Sequence, residues 1–195
     1  HIFYNEKLTV IIVTFHSNHL IENLINRLEK NIKIIIIENS LNVELKLHLE
    51  KKFENVQVII PEKNLGNGGG INLGLSQVKT EYSLYLDADV IPENDMIDTL
   101  LKWTDKLKNF SMLAAKELNY NYRDDQYINH EKSKNYHKMR LITGCVLLFN
   151  MRSLSKTGYF DENIFLYYEE HDLFHRCIKL GLDIYMIDDA QFNHG

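Results

Sequence analysis

The sequence predicts an α/β fold on a mainly parallel central sheet. Short apolar runs alternate with helical patterns through the first half, the signature of βαβ units. One of those runs, Tyr82 to Leu86, ends abruptly in Asp87-Ala88-Asp89. In open α/β sheets the carboxyl ends of strands face the ligand crevice. The length, 195 residues, suits one α/β domain with ample room for a core.

The elements follow in order. Leu8 to Phe15 reads as a buried strand. Ser17 is placed to cap a helix whose Leu20, Ile21, Leu24, Ile25 and Leu28 recur at helical spacing. Ile32 to Ile37 is a second strand, ending in Glu38-Asn39-Ser40. Val43 to Phe53 is a weaker helix, because Leu45, Leu47 and Leu49 fit strand alternation as well. Val56 to Ile60 is a third strand, stopped by Pro61. A glycine-dense loop precedes a helix over Ile71 to Val78, and the acid-tipped strand comes next. Pro92 opens a helix that runs to about Leu107. Residues 117 to 139 are polar and rich in Tyr and Asn without a sustained period, so they read as a long surface excursion. Leu141 to Phe149 is an apolar strand. Tyr168 to Leu180 is a helix, acidic at its start, basic further on and capped by Gly181. Ile184 to Ile187 is a short final strand. With no repeat or linker in view, 1–195 is expected to be one domain.

Composition narrows the function. A formal net charge of -5 and the lack of a basic block argue against nucleic-acid binding. Cys145 and Cys177 are too few for a disulfide framework, which fits reduced thiols in a cytosolic protein. No apolar run approaches a membrane span, and no signal peptide is visible. The chain begins at His1 rather than Met and stops at Gly195. That fits a catalytic domain cut from a longer protein, with a membrane anchor or second module outside it.

Four features carry chemistry. Asp87 and Asp89 repel each other unless a cation joins them, and Mg²⁺ or Mn²⁺ bound partly by substrate phosphates does so; the ordinary alternative is a solvated turn. In Asn64-Leu65-Gly66-Asn67-Gly68-Gly69-Gly70-Ile71-Asn72, glycines let backbone approach a ligand and present N–H groups at a helix start. That run matches neither the dinucleotide-binding nor the phosphate-loop pattern, so a plain turn competes. Between Phe160 and Asp172, Glu169, Glu170 and Asp172 form an acidic cluster. A carboxylate crowded by others has a raised pKa, which suits a general base; favourable charge at a helix start is the competing account. His194 could add a metal ligand beside Asp89, though a lone His is more often structural. Arg176, four residues after Asp172, suits a helix ion pair.

Taken in order, these pieces resemble a family-2 glycosyltransferase of the GT-A type. They are Val10-Ile11-Ile12-Val13-Thr14-Phe15-His16, Ile37-Glu38-Asn39-Ser40, the glycine run from Asn64 and Leu86-Asp87-Ala88-Asp89. Thr143-Gly144-Cys145, the Phe160 to Arg176 segment and His194 complete the set. The glycine run and the Phe-Asp-Glu segment look most like the rhamnosyltransferase-like branch that builds bacterial surface polysaccharides. The resemblance implies a three-layer α/β/α fold with a donor-binding half at 1–116 and an acceptor-binding, catalytic half at 117–195.

It also implies site roles. Thr14 and Phe15 would line the nucleoside pocket, and Glu38 would contact the base or ribose. Asn64, Gly69 and Asn72 would approach the donor. Asp89 would hold Mn²⁺ or Mg²⁺ on the diphosphate, with Asp87 nearer the ribose or metal and His194 a further ligand. Gly144 would let backbone close on the sugar. Glu170 would be the base, with Glu169 and Asp172 beside it; the family more often has Asp there, and Asp in place of Glu38. The implied donor is a UDP- or dTDP-sugar, and the acceptor a saccharide or lipid-linked saccharide. The setting would be cytoplasmic, at the inner membrane face. Two alternatives compete: a haloacid-dehalogenase-type phosphohydrolase using Asp87 and Asp89 with Asp188-Asp189, and an inactive sugar- or nucleotide-binding module. A sugar-phosphate nucleotidyltransferase is disfavoured, since His16-Ser17-Asn18-His19 stands where a Gly- and Arg-rich loop belongs.

Overall fold

A computed structural model describes residues 4–165 and 168–195. Its first elements are α1 (Tyr4–Lys7), β1 (Leu8–Thr14), α2 (Asn18–Asn26), β2 (Lys33–Glu38), α3 (Val43–Lys52), β3 (Val56–Ile59) and α4 (Gly66–Ser76). Then come β4 (Tyr82–Asp87), β5 (Val90–Pro92), α5 (Met96–Lys106), β6 (Phe110–Glu117), β7 (Tyr127–Asn129) and β8 (Tyr136–Met139). The rest are β9 (Val146–Asn150), α6 (Met151–Thr157), α7 (Glu169–Lys179) and β10 (Asp183–His194).

The strands form one sheet in the order β3-β2-β1-β4-β9-β6-β10-β8-β7, with β5 pairing β10. The expected parallel arrangement holds across β3-β2-β1-β4. Beyond β4 the sheet is mixed: β9 runs antiparallel to β4 and β6, while β10 is parallel to β6 and antiparallel to β8 and β5.

Period-2 alternation splits the core into two layers. Val10 and Ile12 of β1 point into one cluster with Ile21 and Leu24 of α2, Leu45 and Leu49 of α3, and Met96 and Leu100 of α5. Ile11 points into the other, with Ile71 and Leu75 of α4, Leu154 of α6, and Leu173, Phe174 and Cys177 of α7. This is the three-layer α/β/α arrangement.

Several local expectations are corrected. Helix α4 starts at Gly66, so the glycines are helical rather than a preceding loop. The reason is packing: a Cβ on Gly70 would lie 2.9 Å from Val13 Cγ1, and one on Gly74 2.7 Å from Ile11 Cγ2. A bare helix face lets α4 approach β1, which outweighs the poor helix propensity of Gly. Pro92 ends β5 against Phe192 instead of opening α5. The apolar stretch before residue 117 is the strand β6, and α6 follows β9; neither was anticipated. The 117–139 excursion contains the β7–β8 hairpin and buries Gln126, His137 and Met139, so it belongs to the sheet edge. The strand expected from Leu141 starts only at Val146, and the final strand is far longer than four residues. Ser17 does precede α2, but its hydroxyl turns to Phe15 O and makes no cap bond. No helix among the described residues is long and apolar enough to cross a membrane.

Candidate functional site

The carboxyl end of β4 delivers Asp87 into a crevice, where Tyr85 Oη donates to its Oδ1 at 2.5 Å. Burial pushes the Asp87 carboxyl above its ordinary pKa, opposed by hydrogen bonds from Tyr85 and the Cys145 thiol and aided by the nearby charge of Asp89. The backbone is fixed too, since Asp87 N–H donates to Cys145 O at 2.9 Å. Burial likewise raises the Cys145 thiol, with the charge of Asp87 adding to it.

β10 brings the distant His194 here by pairing His194 with Val90 of β5. Its Nε2 lies 3.0 Å from Asp89 Oδ1, and its Nδ1 lies 3.7 Å from Glu117 Oε1. Asp87, Cys145 and His194 each offer one ligand atom, all within 4.8 Å of one another. A carboxylate oxygen, a ring nitrogen and a sulfur, with Asp89 one hydrogen bond away, are a donor set that fits a divalent cation.

The acidic cluster sits at the start of α7, which Tyr168 enters with a left-handed φ of 62°. Leu166 and Tyr167, inside the segment singled out from sequence, lie outside the described residues. Glu169 is buried; its Oε1 faces Asn67 Nδ2 at 3.4 Å and its Oε2 has no partner among the described residues. Asn67 Oδ1 in turn lies 3.1 Å from Tyr85 Oη, so a polar chain links Glu169 through Asn67 and Tyr85 to Asp87. Glu170 reaches over Gly144, where a Cβ would fall 2.8 Å from its Oε1. Burial first, and then the charge of Glu169, raise the Glu170 carboxyl above its ordinary pKa. Asp172 is differently placed. Its Oδ2 accepts from Arg176 Nε at 3.0 Å and Nη2 at 2.8 Å. Arg176 also donates to the carbonyls of Thr157 and Tyr159, so this pair fastens α7 to the chain after α6.

On the other flank, Thr14 and Glu38 end β1 and β2 side by side. Glu38 is wholly buried, and both its oxygens are engaged by its own loop. Oε1 accepts from Ser40 N at 3.2 Å and from the Ser40 hydroxyl, with Thr14 Oγ1 at 3.4 Å; Oε2 accepts from Asn42 N at 2.5 Å. A carboxylate so satisfied organises the turn. Phe15 is 55% exposed, its ring edge-on to His16 with centroids 4.3 Å apart. Asn64 Oδ1 accepts from Gly66 N at 2.9 Å, and a Cβ on Gly69 would meet Leu65 Cβ at 3.0 Å.

Asn72 lies on α4. Its amide pairs with the backbone of Phe160, accepting from N at 3.0 Å and donating to O at 2.9 Å, so it latches the Phe160 strap onto α4. Asn39, unsuspected from sequence, holds the same helix start by donating to Gly66 O at 2.9 Å. Asn67, Tyr85, Cys145 and Glu117 likewise join the site only through the fold. Asp188 accepts from His137 at 2.9 Å and faces Lys116, so the late acid pair of the phosphohydrolase alternative is engaged elsewhere.

Comparisons with known proteins bear on the fold. The profile of Glycosyl transferase family 2 matches residues 9–178. Low-salt glycan biosynthesis hexosyltransferase Agl10 of Haloferax volcanii is 23% identical over 92% of this chain and 64% of its own length. The chain therefore spans less than two thirds of that relative. The crystal structure of S. aureus TarS 1-349 with UDP-GlcNAc superposes with a TM-score of 0.74 at 18% identity, covering 96% of this chain and 58% of that one. Mannosyltransferase PcManGT from Pyrobaculum calidifontis, in complex with GDP-Man and Mn²⁺, gives 0.76 at 15% identity, covering 96% and 56%. These likenesses establish a GT-A glycosyltransferase fold.

Proposed function

The chain belongs to Glycosyl transferase family 2, and from that premise we propose that it transfers a sugar from a nucleotide-diphosphate sugar to a hydroxyl acceptor with inversion at the anomeric carbon. The observation that carries this reading is the turn at 143–145. Gly144 bears the Glu170 carboxylate on one side while Cys145 touches Asp87 on the other. A base and a metal-facing acid thus flank one tripeptide, an arrangement that supports a single displacement.

In that displacement Glu170 takes the proton from the acceptor hydroxyl. The hydroxyl oxygen bonds to the anomeric carbon as the bond to the diphosphate oxygen breaks. The raised pKa of Glu170 suits proton removal near neutral pH. Asp89, Asp87 and His194 would hold Mn²⁺ or Mg²⁺, whose chemistry is to neutralise charge gathering on the departing diphosphate. Glu169 positions Asn67 and, through Tyr85, Asp87. Asp172 acts through Arg176 on the packing of α7.

Thr14 and the exposed face of Phe15 would receive the nucleoside of a UDP- or dTDP-sugar, while Asn64 and Gly69 shape the backbone near the phosphates. Residues 1–116 would serve the donor and 117–195 the acceptor and base, with His194 crossing back to the donor side. The acceptor would be a saccharide or lipid-linked saccharide in surface polysaccharide synthesis, at the inner membrane face. TarS with UDP-GlcNAc and PcManGT with GDP-Man support a nucleotide-sugar donor.

Glu170→Gln tests the base, because it keeps the shape and removes the basicity. Turnover should fall about 10²–10⁴-fold, with donor affinity unchanged by calorimetry and the wild-type product showing an inverted anomeric configuration by NMR. Near-wild-type turnover by the variant would overturn the assignment.

A further inference from the structure

Mn²⁺ and Mg²⁺ prefer oxygen ligands, yet a sulfur stands among the metal-facing atoms of this crevice. Cys145 Sγ, an Asp87 carboxylate oxygen and a His194 ring nitrogen lie within 4.8 Å of one another. A tetrahedral zinc site with metal–ligand distances of roughly 2.0–2.3 Å holds its ligand atoms about 3.4–3.8 Å apart. Three side-chain ends within 4.8 Å reach that spacing by small χ adjustments. The Asp89 carboxylate, hydrogen-bonded to His194, stands ready as a fourth ligand. Cys145 is buried, and its thiol is directed at Asp87. A purely structural cysteine needs no such neighbours: Cys177, packed among apolar side chains between α7 and the sheet, meets the hydroxyls of Ser111 and Thr157.

We propose that Cys145 is a metal ligand, making Asp87, Cys145 and His194 a mixed oxygen, sulfur and nitrogen site that takes thiophilic ions of the zinc class in preference to Mn²⁺ or Mg²⁺. The proposal rests on the reading of this crevice as the metal-holding site. On binding, the thiol releases its proton to solvent as the metal–sulfur bond forms, and nothing is oxidised or reduced. With Asp89 joining as the fourth ligand, a tetrahedral zinc-class ion has no open position left and excludes the donor diphosphate. The protein is therefore expected to be inhibited by zinc while being activated by manganese.

Cobalt(II) is the probe, since a cobalt–thiolate bond gives a near-ultraviolet charge-transfer band that oxygen and nitrogen ligands do not. The intact chain should show that band on Co²⁺ addition. Cys177→Ser should keep it, and Cys145→Ser and Cys145→Ala should lose it. By competition calorimetry Cys145→Ser should weaken Zn²⁺ binding about tenfold or more while leaving Mn²⁺ affinity within about twofold. Co²⁺ binding to the wild type without a thiolate band would overturn the role of Cys145 and leave the metal site standing. Failure of Co²⁺, Zn²⁺ and Mn²⁺ alike to bind the wild type would overturn both. The wild-type spectrum decides the matter even if a Cys145 variant folds poorly.

Discussion

Replacing Asn72 with alanine separates two roles, the donor contact expected from sequence and the structural latch seen in the fold. In the structure both ends of the Asn72 amide are taken up by the Phe160 backbone, at 3.0 and 2.9 Å, with an exposed third contact to Glu162 at 3.2 Å. Each of the first two bonds contributes about 0.5–1.5 kcal/mol net, and because Phe160 is buried its freed N–H and C=O lose access to water. The exposed contact adds little, so the loss sums to about 1–3 kcal/mol. For a domain of this size that lowers the thermal midpoint by about 2–12 °C. Scanning calorimetry measures it, and titration of donor into the folded variant measures affinity. The midpoint should drop, donor affinity should stay within about twofold, and turnover should fall because the strap from Phe160 leads into Glu169 and Glu170. An unchanged midpoint together with donor binding weakened tenfold or more would refute the latch and restore Asn72 to the donor site.

The other predictions concern the crevice. Gly144→Ala places a methyl against the Glu170 carboxylate, a flexible group that can move aside; turnover should fall about tenfold or more, with a thermal midpoint and donor affinity like wild type, and a collapse in stability instead would mean the turn cannot tolerate any Cβ. The acid limb of kcat/KM should lie above the ordinary Glu value of about 4.3, because Glu170 must be unprotonated to act and burial with the Glu169 charge raises its pKa. Activity therefore disappears as pH falls through that raised value, and Glu169→Gln should move the limb to lower pH; a limb at or below the ordinary value would contradict the assignment. Asp89→Asn should weaken Mn²⁺-dependent binding of a nucleoside diphosphate far more than binding of the bare nucleoside, and equal Mn²⁺-dependent affinity for variant and wild type would count against its metal role.

What was legible in the sequence was what is local. Buried parallel strands such as β1 and β2 are continuous apolar runs, and α7 declares its ends by charge and Gly181, so their placement followed directly. The Asp87-Ala88-Asp89 step could be read because a strand tip fixes which way its side chains face. Long-range pairings left no such mark. Pro92 looks like a helix start until β10 is seen to pair with β5 there. The hairpin β7–β8 is polar because it covers an edge, so it lacks the apolar alternation that would announce it. Cys145 stands 58 positions from Asp87 (145 − 87) and meets it only because β9 pairs antiparallel with β4. The contacts of Glu38 were hidden for a different reason: its carboxylate is chemically fit to meet a base, and only the fold shows the Ser40 and Asn42 backbone reaching it.

Strand β10 lies between β6 and β8 although it follows both in the chain. The β7–β8 hairpin can therefore join the sheet only after β10 has been inserted, and the same insertion carries His194 to Asp89. Contacts this distant along the chain must overcome a large loop-closure entropy before they stabilise anything. Assembly of the crevice that joins Asp89 and His194 is thus coupled to the slowest class of pairing this topology contains. A partly folded chain can possess an intact β3-β2-β1-β4 sheet, with Thr14 and Phe15 in place, while still lacking that crevice. In native-state hydrogen exchange, the amides of His137 to Met139 and of Tyr185 to Ile187 should open together, as one cooperative unit.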